Sequence, residues 1–345
     1  MNLKTVSLTV ASILLALIGG IAVAGHWAIP YVNHAHKGDG ILVFDAEIGM
    51  APRPSGYTQR VDGPTANRPA LVNDVYTDDR GARVDGPGQR SPAKLDILAI
   101  GCSFTWGHAV ANPDTFVARL RRELGVPTSN FAMAGMGTVQ SLQMLRRNRD
   151  LKPKLVIYGL IDAHPDRNIF GCAPSYYPFC FDVSWVGWDE AGKPRIERPI
   201  SNGVRRFARE VNRDYMNPVS WLEHGIDVIW GRMILAWHVQ HIVTDPKKKE
   251  EAHAFLMREM ERTVAEMGAE LLVVYIPFNF QQPADAVRRA VGKTRFLDVT
   301  DALRRHRDAG GPPLYIPDDN HPNALANGII ADEIARYIRR EGLLK

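Results

Sequence analysis

Cysteine is scarce in this chain: 345 residues carry three. Excess charge is scarce as well, since 42 basic and 38 acidic residues leave a formal net charge of +4. The few cysteines, and histidines scattered without ligand spacing, exclude a zinc module, and no metal is expected. Balanced charge without a concentrated basic face argues against a nucleic-acid partner. The local run Lys247-Lys248-Lys249 is followed at once by Glu250-Glu251 and reads as a solvated helix start. There is no internal repeat and no low-complexity tract. The G-x-G-x-x-G fingerprint of a dinucleotide site is incomplete, so no cofactor is expected.

Long apolar runs are also absent, with one exception. Val6 to Ala24, VSLTVASILLALIGGIAVA, is 19 residues without a charge, preceded by Lys4. At about 1.5 Å per residue a helix of that length crosses a hydrocarbon core of ~30 Å. The basic flank on its amino-terminal side leaves the rest of the chain outside the cytoplasm. Ala22-Val23-Ala24 fits a small-residue cleavage site, so a removable signal peptide is the alternative to a retained anchor. The length favours the anchor. Either way the remaining chain is expected in the cell envelope or secreted, with residues 6–24 as its membrane contact. Cys172 and Cys180, eight apart in GCAPSYYPFC, could close a small loop in an oxidising compartment; two unpaired buried thiols are the other reading.

What remains is ordinary globular material, 45% hydrophobic and 23% charged, long enough for one large domain or two modest ones. Residues 1–25 form the anchor or signal and 26–40 a polar linker. Residues 41–345 form the main domain. Its first part, 41–92, is rich in Gly, Pro, Asp and Arg and is expected to be irregular, with one or two short strands. From Leu95 strands and helices alternate: strands at Leu95–Ile100, Asn130–Ala134, Leu155–Ile161, Leu271–Ile276 and Phe296–Val299, with amphipathic helices at Thr115–Leu124, from Val139, and at Ala324–Ile338. This alternation predicts an α/β fold, a parallel sheet covered by helices on both faces, with a site at the carboxyl ends of its strands. An insertion, about 163–268, carries Trp188, Trp221, Trp230 and Trp237 and reads as a core helix pair or a helical cap.

Three segments could carry chemistry. Gly101-Cys102-Ser103-Phe104-Thr105-Trp106-Gly107 follows the first parallel strand, where a serine entering a turn presents its hydroxyl; equally, strands often end in Gly and a capping Ser. It is not the G-x-S-x-G elbow, because position 105 is Thr. Asp318-Asp319-Asn320-His321-Pro322-Asn323 precedes the last helix, and an aspartate close before a histidine can fix its tautomer, although the same residues suit a helix cap. Asn130 to Thr138, NFAMAGMGT, follows the second strand, and its glycines let a backbone N–H approach a ligand, or simply allow a tight turn.

The order of these blocks resembles the SGNH (GDSL-like) hydrolases, which carry a nucleophile block, a glycine block, an asparagine block and D-x-x-H at successive strand ends. DAEIGMAPRPS and VYTDDRGAR upstream look like the lead-in of membrane-anchored bacterial members. The resemblance covers about residues 42–341. It implies a flavodoxin-like three-layer sandwich with a central parallel sheet. It also implies a serine nucleophile, Ser103, with Asp318 as orienting acid and His321 as base, and the Ser103 and Gly135 N–H groups as oxyanion donors. Two departures stand out. Cys102 occupies the place of the family's Asp before the nucleophile. The third block, Gly159 to Pro165, lacks its asparagine, and alignment puts His164 there, so His164 is the expected third oxyanion donor, since an ionised Asp162 could not donate. The implied activity is ester hydrolysis through an acyl-enzyme, acting on an ester-bearing small molecule or on O-acyl groups of an envelope or secreted polysaccharide. The alternatives are an O-acyltransferase on the same scaffold and an inactive envelope protein that binds a glycan or a partner.

Overall fold

The computed structural model describes residues 3–33, 37–62, 66–67, 69, 71–108, 110–173, 181–200, 222, 226, 229, 233–241 and 243–344. Helix α1, Leu3–Asn33, contains the window Val6–Val23, with a mean hydropathy of 2.4 and none of it buried. It is long and apolar enough to cross a membrane.

Seven strands follow before the insertion: β1 (Lys37–Asp45), β2 (Gly49–Asp62), β3 (Leu71–Thr77), β4 (Arg83–Val84), β5 (Ile97–Gly101), β6 (Thr128–Asn130) and β7 (Leu155–Leu160). The insertion contributes two small antiparallel hairpins, β8 (Cys172–Ala173) with β9 (Phe181–Asp182), and β10 (Trp185–Trp188) with β11 (Pro194–Glu197). β12 (Glu270–Tyr275) and β13 (Arg295–Asp298) complete the main sheet. Its order is β1-β2-β3-β4-β6-β5-β7-β12-β13. The last five of these strands are parallel to one another. Numbered in chain order they run 2-1-3-4-5, the doubly wound flavodoxin-like order.

The parallel strands are buried on both faces, and their side chains divide by alternation. Leu98 and Ile100 of β5, Val156, Tyr158 and Leu160 of β7, and Val273 of β12 join one core, under helix α4 (Thr138–Arg147) and helix Pro246–Glu266. Ile97, Ala99, Leu155, Ile157, Leu272 and Val274 join the other, under helix α3 (Phe116–Leu124) and helix Ala324–Glu341. This is why these segments read as continuous apolar runs rather than alternating ones.

Two expectations about the periphery are corrected. Residues 41–92 are not irregular with one or two strands: β1 to β4 extend the main sheet, each antiparallel to its neighbour, with β4 pairing antiparallel to β6. The insertion is not simply helical either: after a short helix, His164–Asn168, it carries the two hairpins, and helix Pro246–Glu266 at its end is the crossover from β7 to β12. Trp221 and Trp230 lie outside the described residues. So does Cys180, and with it the expected pairing to Cys172.

Candidate active site

β5 ends at Gly101, paired in register with Gly159 of β7. A Cβ at either glycine would collide with the Thr105 side chain, which packs across both strand ends. Cys102 is extended (φ −94°, ψ −158°) and caps α2, the single turn Ser103–Trp106. Ser103 is therefore the first residue of a helix, where an N–H has no intrahelical acceptor. The turn stops at Gly107, which takes a left-handed φ of 84° that a side chain would resist. Ser103 O accepts from both Gly107 N–H (3.0 Å) and His108 N–H (2.9 Å), so the carbonyl of the serine anchors the exit of its own helix.

The glycine block arrives beside this turn by strand pairing. Beyond β6, Phe131 N–H donates to Ala99 O (2.8 Å) and Met133 N–H to Gly101 O (3.1 Å), carrying the chain along β5 to its end. Gly135 follows at φ 80°. Among the described residues no backbone carbonyl accepts from the N–H of Ser103 or of Gly135. Asn130 ties the two loops together: its Nδ2 donates to Thr105 O (2.9 Å) and its Oδ1 accepts from Ala132 N–H (3.1 Å).

The third loop precedes helix Ala324–Glu341. Ile316 N–H donates to His321 O (2.9 Å), and Asn323 caps the helix by accepting from Ala326 N–H (3.0 Å). Inside the turn so formed Asp318 and Asn320 take left-handed φ values of 62° and 64°. His321 Nε2 lies 2.8 Å from Ser103 Oγ. On the other side of the ring, His321 Nδ1 meets Asp319 Oδ1 in a short contact, and Asp319 Oδ1 also accepts from His321 N–H (3.2 Å). The expectation for Asp318 is thus corrected: its carboxylate accepts from Asn67 Nδ2 (2.9 and 3.1 Å), and the carboxylate on the histidine belongs to Asp319. Burial by itself would raise the Asp319 carboxyl, but hydrogen bonds from His108 and His321 outweigh it and hold that group well below the ordinary carboxylate range.

His164 is not brought to this cluster. Its ring is fully buried and stacks on Tyr158 (centroids 5.7 Å apart, 26° between planes). Burial, then Arg167 and His253, keep the imidazole well below its ordinary pKa, so it is neutral and has one N–H. His164 Nδ1 lies 2.6 Å from the Tyr158 hydroxyl, which also bonds Thr138 Oγ1 (2.8 Å), so the ring is engaged inside the fold. The expected third oxyanion donor is corrected on that ground. Asp162 turns aside as well, accepting from the Tyr275 hydroxyl in a short hydrogen bond.

Two residues of this site escape a reading of the sequence. Arg83 is buried and donates from Nε to Asn112 Oδ1 (2.8 Å), from Nη1 to Trp106 O and Gly107 O (2.6 Å each), and from Nη2 to Val110 O (2.7 Å). It thereby caps the carboxyl end of the Ser103 turn from β4. His108 Nε2 lies 3.5 Å from Asp319 Oδ2, and its ring stacks on His321 (4.1 Å, 29°). In the sequence Arg83 ends VYTDDRGAR and His108 directly follows GCSFTWG, and neither block singles its residue out. Ligand-type atoms of His108, Asp319 and His321 lie within 4.8 Å of one another, a grouping that could hold a cation. Those atoms already face each other as polar partners: both Asp319 oxygens are occupied by imidazole nitrogens.

No protein-family model and no curated protein matches the chain. Among solved structures it is similar to one assigned to the G-D-S-L lipolytic family from Desulfitobacterium hafniense DCB-2 (13% identity over 70% of this chain and 97% of that one, TM-score 0.35). It is also similar to a family two carbohydrate esterase from Clostridium thermocellum in complex with cellohexaose (12% identity, 74% and 68% covered, TM-score 0.36). A third is an acetyl xylan esterase from Butyrivibrio proteoclasticus (11% identity, 74% and 67% covered, TM-score 0.35). Likeness at this level is weak, and the geometry of the site has to carry its function.

Proposed function

We propose that the chain is a serine ester hydrolase of the SGNH type that works through an acyl-enzyme. The observation that carries this reading is the Ser103 Oγ to His321 Nε2 distance of 2.8 Å with Asp319 on the opposite ring nitrogen. Asp319 holds the proton on Nδ1, which leaves the Nε2 lone pair to take the Ser103 proton as Oγ attacks an ester carbonyl. The ionised carboxylate then stabilises the imidazolium that forms. The tetrahedral oxyanion is received by the N–H groups of Ser103 and Gly135, one at a helix start and one at a left-handed turn. His321 returns its proton to the departing alcohol, and water, activated by the same histidine, releases the acid. A hole of two donors is slower than one of three, since one donor is worth about 2.7–4 kcal/mol.

We put O-acyl groups of a polysaccharide first among substrates, a choice in keeping with the names of two similar structures, a family two carbohydrate esterase with bound cellohexaose and an acetyl xylan esterase. The apolar window Val6–Val23, with a basic residue before it, supports export with the site on the outer side of the inner membrane.

The deciding experiment is hydrolysis of a short-chain aryl ester by the detergent-solubilised full chain and by its Ser103→Ala form. Loss of turnover with the serine, and mass spectrometry showing an acyl group on Ser103, are expected. Equal turnover by both proteins would remove Ser103 from the chemistry. An alkaline phosphatase fused after residue 345 should be active if the site is exported, and inactive if it is cytoplasmic.

A further inference from the structure

We infer that His108 is a positioning residue for the Ser103 chemistry, holding the Asp319 carboxylate and the His321 ring in one arrangement. This rests on the reading of Ser103 and His321 as nucleophile and base. A carboxylate that orients a histidine has two oxygens, and only one can face the ring it orients. Here Oδ1 faces His321 Nδ1, and Oδ2 faces a second imidazole, His108 Nε2, at 3.5 Å. The Asp319 and His108 side chains are each only 15% exposed, so water does not readily replace that partner. A donor on Oδ2 fixes the rotation of the carboxylate about its last bond, and with it the aim of Oδ1.

The same imidazole also fixes the base. His321 sits between two rings, His108 at 4.1 Å and 29°, and Phe104 at 4.9 Å and 49°. Sliding between them changes the Nε2 to Oγ distance, which general-base catalysis depends on. His108 is itself held by the serine: its N–H donates to Ser103 O at 2.9 Å, and Arg83 binds the carbonyls of Trp106 and Gly107 just before it at 2.6 Å. A closed circuit results, running from Ser103 through its own carbonyl to His108, across Asp319 to His321, and back to Oγ. The nucleophile and the group that aims its base are set by one turn of chain.

The test is the rate at which a fluorophosphonate labels Ser103, with kcat and KM for an aryl ester, in the full-length protein, three single variants and one double variant. His108→Phe keeps a ring and loses the donor; His108→Gln keeps a donor and loses the ring; Asp319→Asn removes the group through which His108 acts. The expected result is that His108→Phe slows labelling and kcat by about tenfold with KM unchanged, while His108→Gln recovers most of the rate. In the Asp319→Asn background His108→Phe should change nothing further. The inference is overturned if His108→Phe is labelled at the parental rate, if it loses the same factor with and without Asp319, or if Phe outperforms Gln. Should His108→Phe not fold, His108→Leu takes its place in the same comparison with Gln. An unlabelled parent protein would sink the hydrolase reading itself. Failure of the His108 inference alone shows as a labelled parent with indifferent His108 variants.

Discussion

Arg83 lies 5.3 Å above the Trp106 indole and donates to the carbonyl of that same residue at 2.6 Å, gripping the end of the Ser103 turn by ring and backbone together. A charged group this far inside the protein is tolerable because its fork of donors meets carbonyl and amide oxygens, aligned with the negative end of α2.

Replacement of Arg83 by Met should therefore leave several buried carbonyls without donors, at about 1–3 kcal/mol for each one left unmet. Arg83→Lys should recover little, since one ammonium cannot span Asn112, Trp106, Gly107 and Val110. Urea unfolding checks both. A Lys variant as stable as the parent would mean that charge at this position, rather than the fork, is what counts.

Asp318 and Asp319 are neighbours with different partners, and their asparagine variants should separate cleanly. Asp319→Asn should lower kcat by about 10⁴-fold, as for a triad whose acid no longer fixes the tautomer. Asp318→Asn keeps a side-chain oxygen for Asn67 Nδ2 and should stay within a few-fold of the parent. Steady-state kinetics of the pair decides between the two assignments.

The depressed Asp319 carboxyl ties stability to pH in a definite direction. A group whose folded pKa lies below its unfolded value stabilises the fold above the unfolded pKa, ordinarily 3.8, and loses that contribution as pH falls through the folded value. Asp319→Asn should thus be less stable than the parent near neutrality, and the gap should narrow progressively in acid. Denaturant midpoints across the acidic range measure it; a gap that widens in acid would contradict the sign.

Thr105 Oγ1 is buried with no hydrogen-bond partner among the described residues. Thr105→Val keeps the shape, removes an unmet hydroxyl and should be neutral or stabilising by up to about 1–3 kcal/mol. Gly159→Ala should do the opposite, by about 1–3 kcal/mol, because its new Cβ meets the same side chain. Combining Gly159→Ala with Thr105→Ala should restore most of the loss. Calorimetry of the four proteins completes the cycle.

The interior of the molecule was legible in the sequence because parallel strands buried on both faces leave uninterrupted apolar runs such as ILAIG and LVIYGL. Ser103 and His321 stood out for a related reason: each sits where such a strand or its following helix must turn. The extension was less readable. β2 carries Pro52, Pro54 and Gly56, which normally argue against a strand, yet its pairing with β1 jumps from Pro52↔Leu42 to Tyr57↔Gly40, so these residues occupy an irregularity where no ladder donor is needed. The choice between Asp318 and Asp319 was closed to sequence for another reason. It depends on the left-handed φ of Asp318 and Asn320, which swings adjacent side chains apart. His164 misled because alignment gives position, while the partner that engages its ring, Tyr158, comes from the strand beneath it.

Among the described residues one ladder pair, Arg83 and Asn130, joins the antiparallel half of the sheet to the parallel half. A sheet so stitched has a seam, crossed also by side-chain bonds from Arg83 to Asn112 and Val110. Both residues at the seam also hold the Ser103 turn, Arg83 through Trp106 and Gly107 and Asn130 through Thr105. The pairing of the two halves of the sheet and the geometry of the site proposed above therefore depend on the same two side chains.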